Sequence, residues 1–264
     1  MSDLPPPPPE PPPRPPLEPP PTPPSPPPPV TSPPPPQLPP PLPNLPAAER
    51  VRLAYQRRYE TDYLFEFWSA LGWTVLTCGV FGYYVVYQLV RRLRDHNRRR
   101  LDLLEAGIAF AWEQAQSRPA VADELRPTFA AMAVNLAVLR QMTSEFRDPA
   151  VWTLLAVVSS GISTAVAFVL LDGDLVRHTA AERAVQADLG RVYIRLGQDL
   201  GPVEPPADGR HNYWGRFAAT FFSCGLYLFW WYRDLMIEPN RHFAEDWAWE
   251  DRLGAAVHYL ANPT

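Results

Sequence analysis

TCGVFGYYVVYQLVRRLRDH, residues 77–96, decides how this chain is read, because two further stretches align on it: SSGISTAVAFVLLDGDLVRH at 159–178 and SCGLYLFWWYRDLMIEPNRH at 223–242. In each, a small polar pair precedes a glycine and an aliphatic residue follows it. In each, a histidine lies seventeen residues beyond that glycine: Gly79 with His96, Gly161 with His178, Gly225 with His242. Self-similarity of this kind marks a repeated structural unit. The motif residues are Cys78, Gly79, Ser160, Gly161, Cys224 and Gly225, with the three histidines.

Each copy starts inside an apolar segment. Residues 63–90 carry Glu66 as their one charge, and residues 150–171 and 217–232 carry none. A helix needs about 20 apolar residues to cross a bilayer core. The first two segments reach that length. The third does so only from Trp214 to Ile237, with Arg216 and Arg233 snorkelling at its ends. Trp68, Tyr87, Trp152 and Trp230 to Tyr232 crowd the segment ends, as in an interfacial aromatic belt. After each histidine apolar residues recur at spacings of three and four: Leu101, Leu104, Ile108 and Trp112; Val185, Leu189, Val192 and Leu196; Phe243, Trp247, Leu253, Val257 and Leu260. That period puts each set on one helix face.

The expected fold class is an all-α membrane protein of three apolar helical segments, each followed by an amphipathic helix, behind a disordered proline-rich tail. The tail covers residues 1–48 and the helical membrane domain 49–264, with related units at about 49–117, 127–200 and 210–262. A further helix is expected between Pro127 and Asp148, where Phe129, Met132, Leu136, Leu139 and Phe146 approximate an a/d seam, with Pro119 and Pro127 bracketing the turn before it.

The glycine in mid-segment has two readings. Small residues let membrane helices approach closely, and rows such as Ala156, Ser160, Thr164 and Ser159, Ser163, Ala167 fit three packed spanning helices. Alternatively the helix breaks at each glycine and the unit is a re-entrant hairpin. Arginines flank both ends of nearly every segment, where the positive-inside rule expects asymmetry. Hairpin arms of about 14 residues reach only about 21 Å, which makes them shallow wedges. Three spanning helices are the leading expectation.

Cys78-Gly79-Val80-Phe81-Gly82-Tyr83-Tyr84 with Tyr87, and Cys224-Gly225-Leu226-Tyr227 with Phe229-Trp230-Trp231, resemble the motif of a bacterial integral-membrane family classed only as a domain of unknown function. The resemblance implies an integral membrane protein, and no activity. The middle copy, Gly161-Ile162-Ser163, lacks the aromatics.

Composition removes several function classes. Net charge is -4, and all the basic residues are arginine. That balance excludes bulk nucleic-acid binding, which needs uncompensated cations. Of the 36 prolines, 28 precede residue 47. Such a run forms neither helix nor sheet and tends to polyproline II, so it acts as a spacer or as an arm for an aromatic-lined groove. The first residues have no basic or apolar signal region. Cys78 and Cys224 read as small buried side chains.

No phosphate-binding loop, HExxH or nucleophile elbow is present, so no enzyme, cofactor or catalytic residue is expected. The candidate metal ligands are His178 with Glu182 and His242 with Asp246, each a histidine with an acid at i+4. The alternative is ordinary i,i+4 pairing at a membrane exit, which leaves no metal; Arg100, at i+4 from His96, breaks the pattern there. The expected function is a non-catalytic scaffold or anchor in the bacterial inner membrane, multi-pass or re-entrant. An oligomeric transport or channel subunit and a soluble helical interaction protein are the alternatives. Expected partners are the lipid bilayer, a protein for the tail, and further copies of the chain.

Overall fold

A computed structural model describes residues 45–159, 162–203 and 212–262. The proline-rich stretch up to residue 44, the motif residues Ser160 and Gly161, and most of the 201–209 linker lie outside them. The described residues form helices and no strand: α1 (Ala47–Gln56), α2 (Arg58–Thr61), α3 (Phe67–Leu76), α4 (Val80–Gln116), α5 (Pro119–Ser144), α6 (Pro149–Val158), α7 (Ile162–Arg195), α8 (Tyr213–Phe222) and α9 (Leu226–Ala261).

The repeat is a helical hairpin. Each apolar segment breaks at its small-residue triplet into a ten-residue arm, α3, α6 or α8, and the start of a long helix, α4, α7 or α9. The long helix then runs without interruption through the histidine into the amphipathic stretch, so no separate amphipathic helix follows. No helix among the described residues is long and apolar enough to cross a membrane. The expected three spans are thereby corrected.

The reason for the break is local. Cys78 and Gly79 both have positive φ, 48° and 93°, as do Cys224 and Gly225, 51° and 90°. The Gly79 N–H donates to Thr74 O (2.7 Å) and Cys78 N–H to Val75 O (3.1 Å), the paired bonds of a Schellman ending. Gly225 to Thr220 and Cys224 to Phe221 repeat it at 2.8 and 3.1 Å. The first residue of each small pair then caps the outgoing helix. Thr77 Oγ1 accepts the Phe81 N–H at 2.9 Å, Ser159 Oγ that of Ser163 at 3.0 Å, and Ser223 Oγ that of Tyr227 at 2.8 Å. Arm starts are fixed the same way. Side chains of Glu66, Asp148 and Asn212 accept first-turn N–H groups, and each lies thirteen residues before its repeat glycine.

Helices α4, α7 and α9 lie side by side, parallel and in register. Their turns share one end, where Gly79, Thr164 and Gly225 line a common cavity of about 400 Å³. Counted from the repeat glycine, buried layers fall at 10, 17, 21, 24 and 28 residues. They are Leu89, Leu171 and Leu235; the three histidines; Arg100, Glu182 and Asp246; Leu103, Val185 and Trp249; then Gly107, Leu189 and Leu253. Steps of seven, four, three and four follow the a/d seam of a coiled coil.

The remaining helices cover this core. α5 packs along α7 and α4, and α1 along α4 and α9. The expected α5 seam is present: Phe129, Met132, Leu136 and Leu139 are buried, and Phe146 packs against the turn-side cluster. α5 begins at Pro119 and runs through Pro127 instead of starting after it. Asp123, four residues before Pro127, is exposed, so the carbonyl left without its helix partner faces the solvent side. Two apolar clusters result. One gathers α1, α5 and the distal halves of the long helices, the other α3, α6 and the proximal halves. The histidine layer lies between them.

Candidate functional site

His96, His178 and His242 are each the seventeenth residue of a long helix, so equal helix lengths deliver all three to one height. Their ring centroids form a triangle with sides of 5.3, 5.8 and 6.2 Å. One helical turn further, Arg100, Glu182 and Asp246 form a second buried tier. Glu182 Oε2 lies 3.4 Å from His178 Nε2 and 3.3 Å from His242 Nε2. Asp246 Oδ2 lies 3.2 Å from His242 Nε2 and 3.5 Å from His96 Nε2. Close as they are, none of these atoms is hydrogen-bonded: the three Nε2 atoms, Glu182 Oε2 and Asp246 Oδ2 are buried without a partner.

The surroundings hold these groups in place. Asp62, between α2 and α3, accepts from His96 Nδ1 at 3.0 Å, from Arg99 Nη2 at 2.7 Å and from Trp247 Nε1 at 2.7 Å. Burial pushes the Asp62 carboxyl up, but His96 and Arg99 outweigh it and hold it well below the usual carboxylate range. An ionised Asp62 requires that His96 Nδ1 carry the proton. Burial pulls His96 down to about 4, so its Nε2 is a bare lone pair at neutral pH. Arg100 donates to Glu182 and, at 2.8 Å, to Glu250. Burial raises Glu182, yet the Arg100 guanidinium brings it far below its ordinary value. Burial alone would lower His242; the neighbouring Asp246 and Glu182 carboxylates reverse that and raise it.

All four candidate ligands named from the sequence, His178, Glu182, His242 and Asp246, meet here. His96 joins them, although Arg100 at i+4 spoils its local pattern, because Arg100 pairs across helices with Glu182. Asp62, Arg99, Gln186 and Glu250 complete the layer and were not foreseen. Gln186 and Glu250 stand 25 residues beyond their repeat glycines, one past the seam position at 24, so the seam periodicity does not mark them, and Asp62 lies outside the long helices.

A second feature lies at the turns. No charged residue occurs between Glu66 and Arg91, between Asp148 and Asp172, or between Arg216 and Arg233. Leu76, Val158, Phe222 and Leu226 are 72–83% exposed, and Trp68, Trp73, Leu154 and Trp230 are exposed with them. Cys78 and Cys224, expected to be buried, are exposed, because the turn puts them at the apex. In the second segment the arm buries Ala156 and turns Val151, Leu154 and Val157 outward, while the start of the long helix buries Ala167, Phe168 and Leu171. Glu66 is an N-cap at the base of the first arm.

No protein-family model matches the chain, and no curated protein and no solved structure matches it.

Proposed function

We propose that this chain is a monotopic membrane anchor whose three hairpin turns sink side by side into one leaflet and hold the polar bundle at the surface. The observation that carries the reading is the pairing of apolar exposure with complete amide satisfaction at the first and third turns. In lipid every backbone N–H must be met internally. From Thr77 to Gly82 each amide donates within the turn: to Trp73 O, Val75 O, Thr74 O, Thr77 O, Thr77 Oγ1 and Gly79 O. Residues 223–228 repeat the same six bonds.

Depth agrees with this. From Val80 to Arg91, Ile162 to Asp172 and Leu226 to Arg233 the long helices rise about 17, 15 and 11 Å at about 1.5 Å per residue. One leaflet contributes about 15 Å of hydrocarbon. The histidines stand about 25 Å from the apex on the same scale, beyond the hydrocarbon. An axial conduit is disfavoured, since Leu89, Leu171 and Leu235 close the axis as a buried layer. Residues 1–44 lie outside the described structure and enter as a spacer or partner-binding arm, on their sequence alone.

The native cysteines make the test direct. The full chain, labelled at Cys78 and Cys224 with an environment-sensitive fluorophore, is mixed with vesicles of neutral and anionic phospholipid. Flotation with the vesicles and a blue-shifted emission at both sites is the expected result. A chain that stays at the bottom of the gradient, or a blue shift without lipid that tracks self-association, makes the apolar end a contact between copies and overturns the anchor.

A further inference from the structure

We propose that the histidine layer is a structural site for one divalent transition-metal ion, held by Nε2 of His96, His178 and His242 and by Oε2 of Glu182. One donor atom from each of these four side chains lies within 4.8 Å of the other three. Atoms about 2.0–2.1 Å from a tetrahedral ion stand about 3.3 Å apart. The distances from Glu182 Oε2 to His178 and His242, 3.4 and 3.3 Å, already have that value.

Three observations point to an ion. First, the donor atoms of all four ligands are buried and unpartnered. Native interiors leave few polar atoms in that state, and five gathered at one point, counting Asp246 Oδ2, need a common partner. Second, the formal charge is unbalanced. With the three imidazoles neutral, as metal ligands must be, Asp62, Glu182, Asp246 and Glu250 face only Arg99 and Arg100, an excess of two formal negative charges in a buried layer. A divalent cation cancels it. Third, the Asp62 carboxylate behind His96 Nδ1 is the usual outer partner of a metal-bound imidazole, fixing the tautomer that leaves Nε2 free.

Imidazole donors favour zinc and its first-row neighbours over magnesium or calcium. Three imidazoles and one carboxylate fill four positions, with Asp246 Oδ2 alongside as a reserve oxygen, so the site is closed in the manner of a structural ion. One ligand or more comes from each repeat copy. The ion would therefore fasten α4, α7 and α9 in register.

The full chain, stripped with a chelator, is titrated with Co²⁺ and followed by its visible d–d absorption, with Zn²⁺ as competitor. One ion per chain is expected, displaced by zinc, together with a rise in thermal midpoint on adding zinc. Glu182→Gln and His178→Gln are expected to weaken binding at least tenfold. Should those variants fail to fold, X-ray absorption at the metal edge of the intact chain reads the ligands directly, three imidazoles and an oxygen. Absence of a d–d band and of any thermal shift, or binding in folded variants as tight as in the parent, overturns the site and leaves the layer an ion-pair network. Neither result depends on lipid, so it does not decide the anchor.

Discussion

Gly107 and Leu189 face one another in the last layer of the three-helix core, and a methyl group added to Gly107 would stand 3.4 Å from Leu189 Cδ2 and equally from a Leu253 methyl. The glycine leaves room for leucines from the other two long helices. Gly107→Ala meets only van der Waals contact and relieves the cost of a helical glycine, about 1 kcal/mol. Its denaturation midpoint should match or exceed that of the parent. Gly107→Leu overfills the layer and should lose about 1–3 kcal/mol. An equal response to both substitutions would contradict the assigned layer.

Arg92 offers a second check on register. Its Nη2 donates to Leu235 O and, at 3.1 Å, to Met236 O, while Nη1 reaches Asn240 Oδ1 at 2.9 Å. Pro239 lies inside α9 and has no N–H, so Leu235 O lacks its helix partner. The buried guanidinium of α4 supplies the missing donor. Arg92→Met should cost about 1–3 kcal/mol by leaving the Leu235 carbonyl unmet. In urea melts the double variant with Pro239→Ala should lose less than the sum of the two, with a coupling of about 0.5–3 kcal/mol.

At the turns, Thr77→Val and Ser223→Ala each remove the acceptor for one amide, Phe81 or Tyr227. Loss of such a cap costs about 1 kcal/mol in water. Without water to replace the hydroxyl, the loss should be larger in vesicles than in detergent-free buffer. Thermal melts of each variant in both media read the difference.

How much of this was legible beforehand depends on range. The glycine–histidine spacing, the long amphipathic faces and the α5 seam were all visible, since they are periodicities within one helix. The choice between span and hairpin was not. It turns on Cys78 and Cys224 adopting positive φ, a conformation uncommon outside glycine and asparagine, and on a hydroxyl four residues back. The recurring caps Glu66, Asp148 and Asn212 escaped notice because they are three different residue types doing one job. Arg100 misled for a related reason: its helix neighbour is His96, but its partners Glu182 and Glu250 come from other helices.

Charge at the apex should act on membrane binding and not on folding. Leu76 and Phe222 are 72% and 83% exposed, so Leu76→Glu and Phe222→Glu disturb little of the bundle. Placing one acid in hydrocarbon costs about 2.5–3.5 kcal/mol. Each variant should therefore keep the parent's circular dichroism and melting point in buffer, and lose roughly a hundredfold in vesicle partitioning measured by sedimentation.

The depth of the turns separates an anchor in one leaflet from a span. Spin labels on Cys78 and Cys224 of the full chain in vesicles, read by collision with oxygen and with a polar nickel chelate, report how far each apex lies below the headgroups. Both labels near the bilayer centre, with a third at Arg94 in the aqueous phase on the side of addition, is the predicted result. Labels at the apex that collide freely with the nickel chelate, or that emerge on the opposite face, would contradict a single-leaflet anchor.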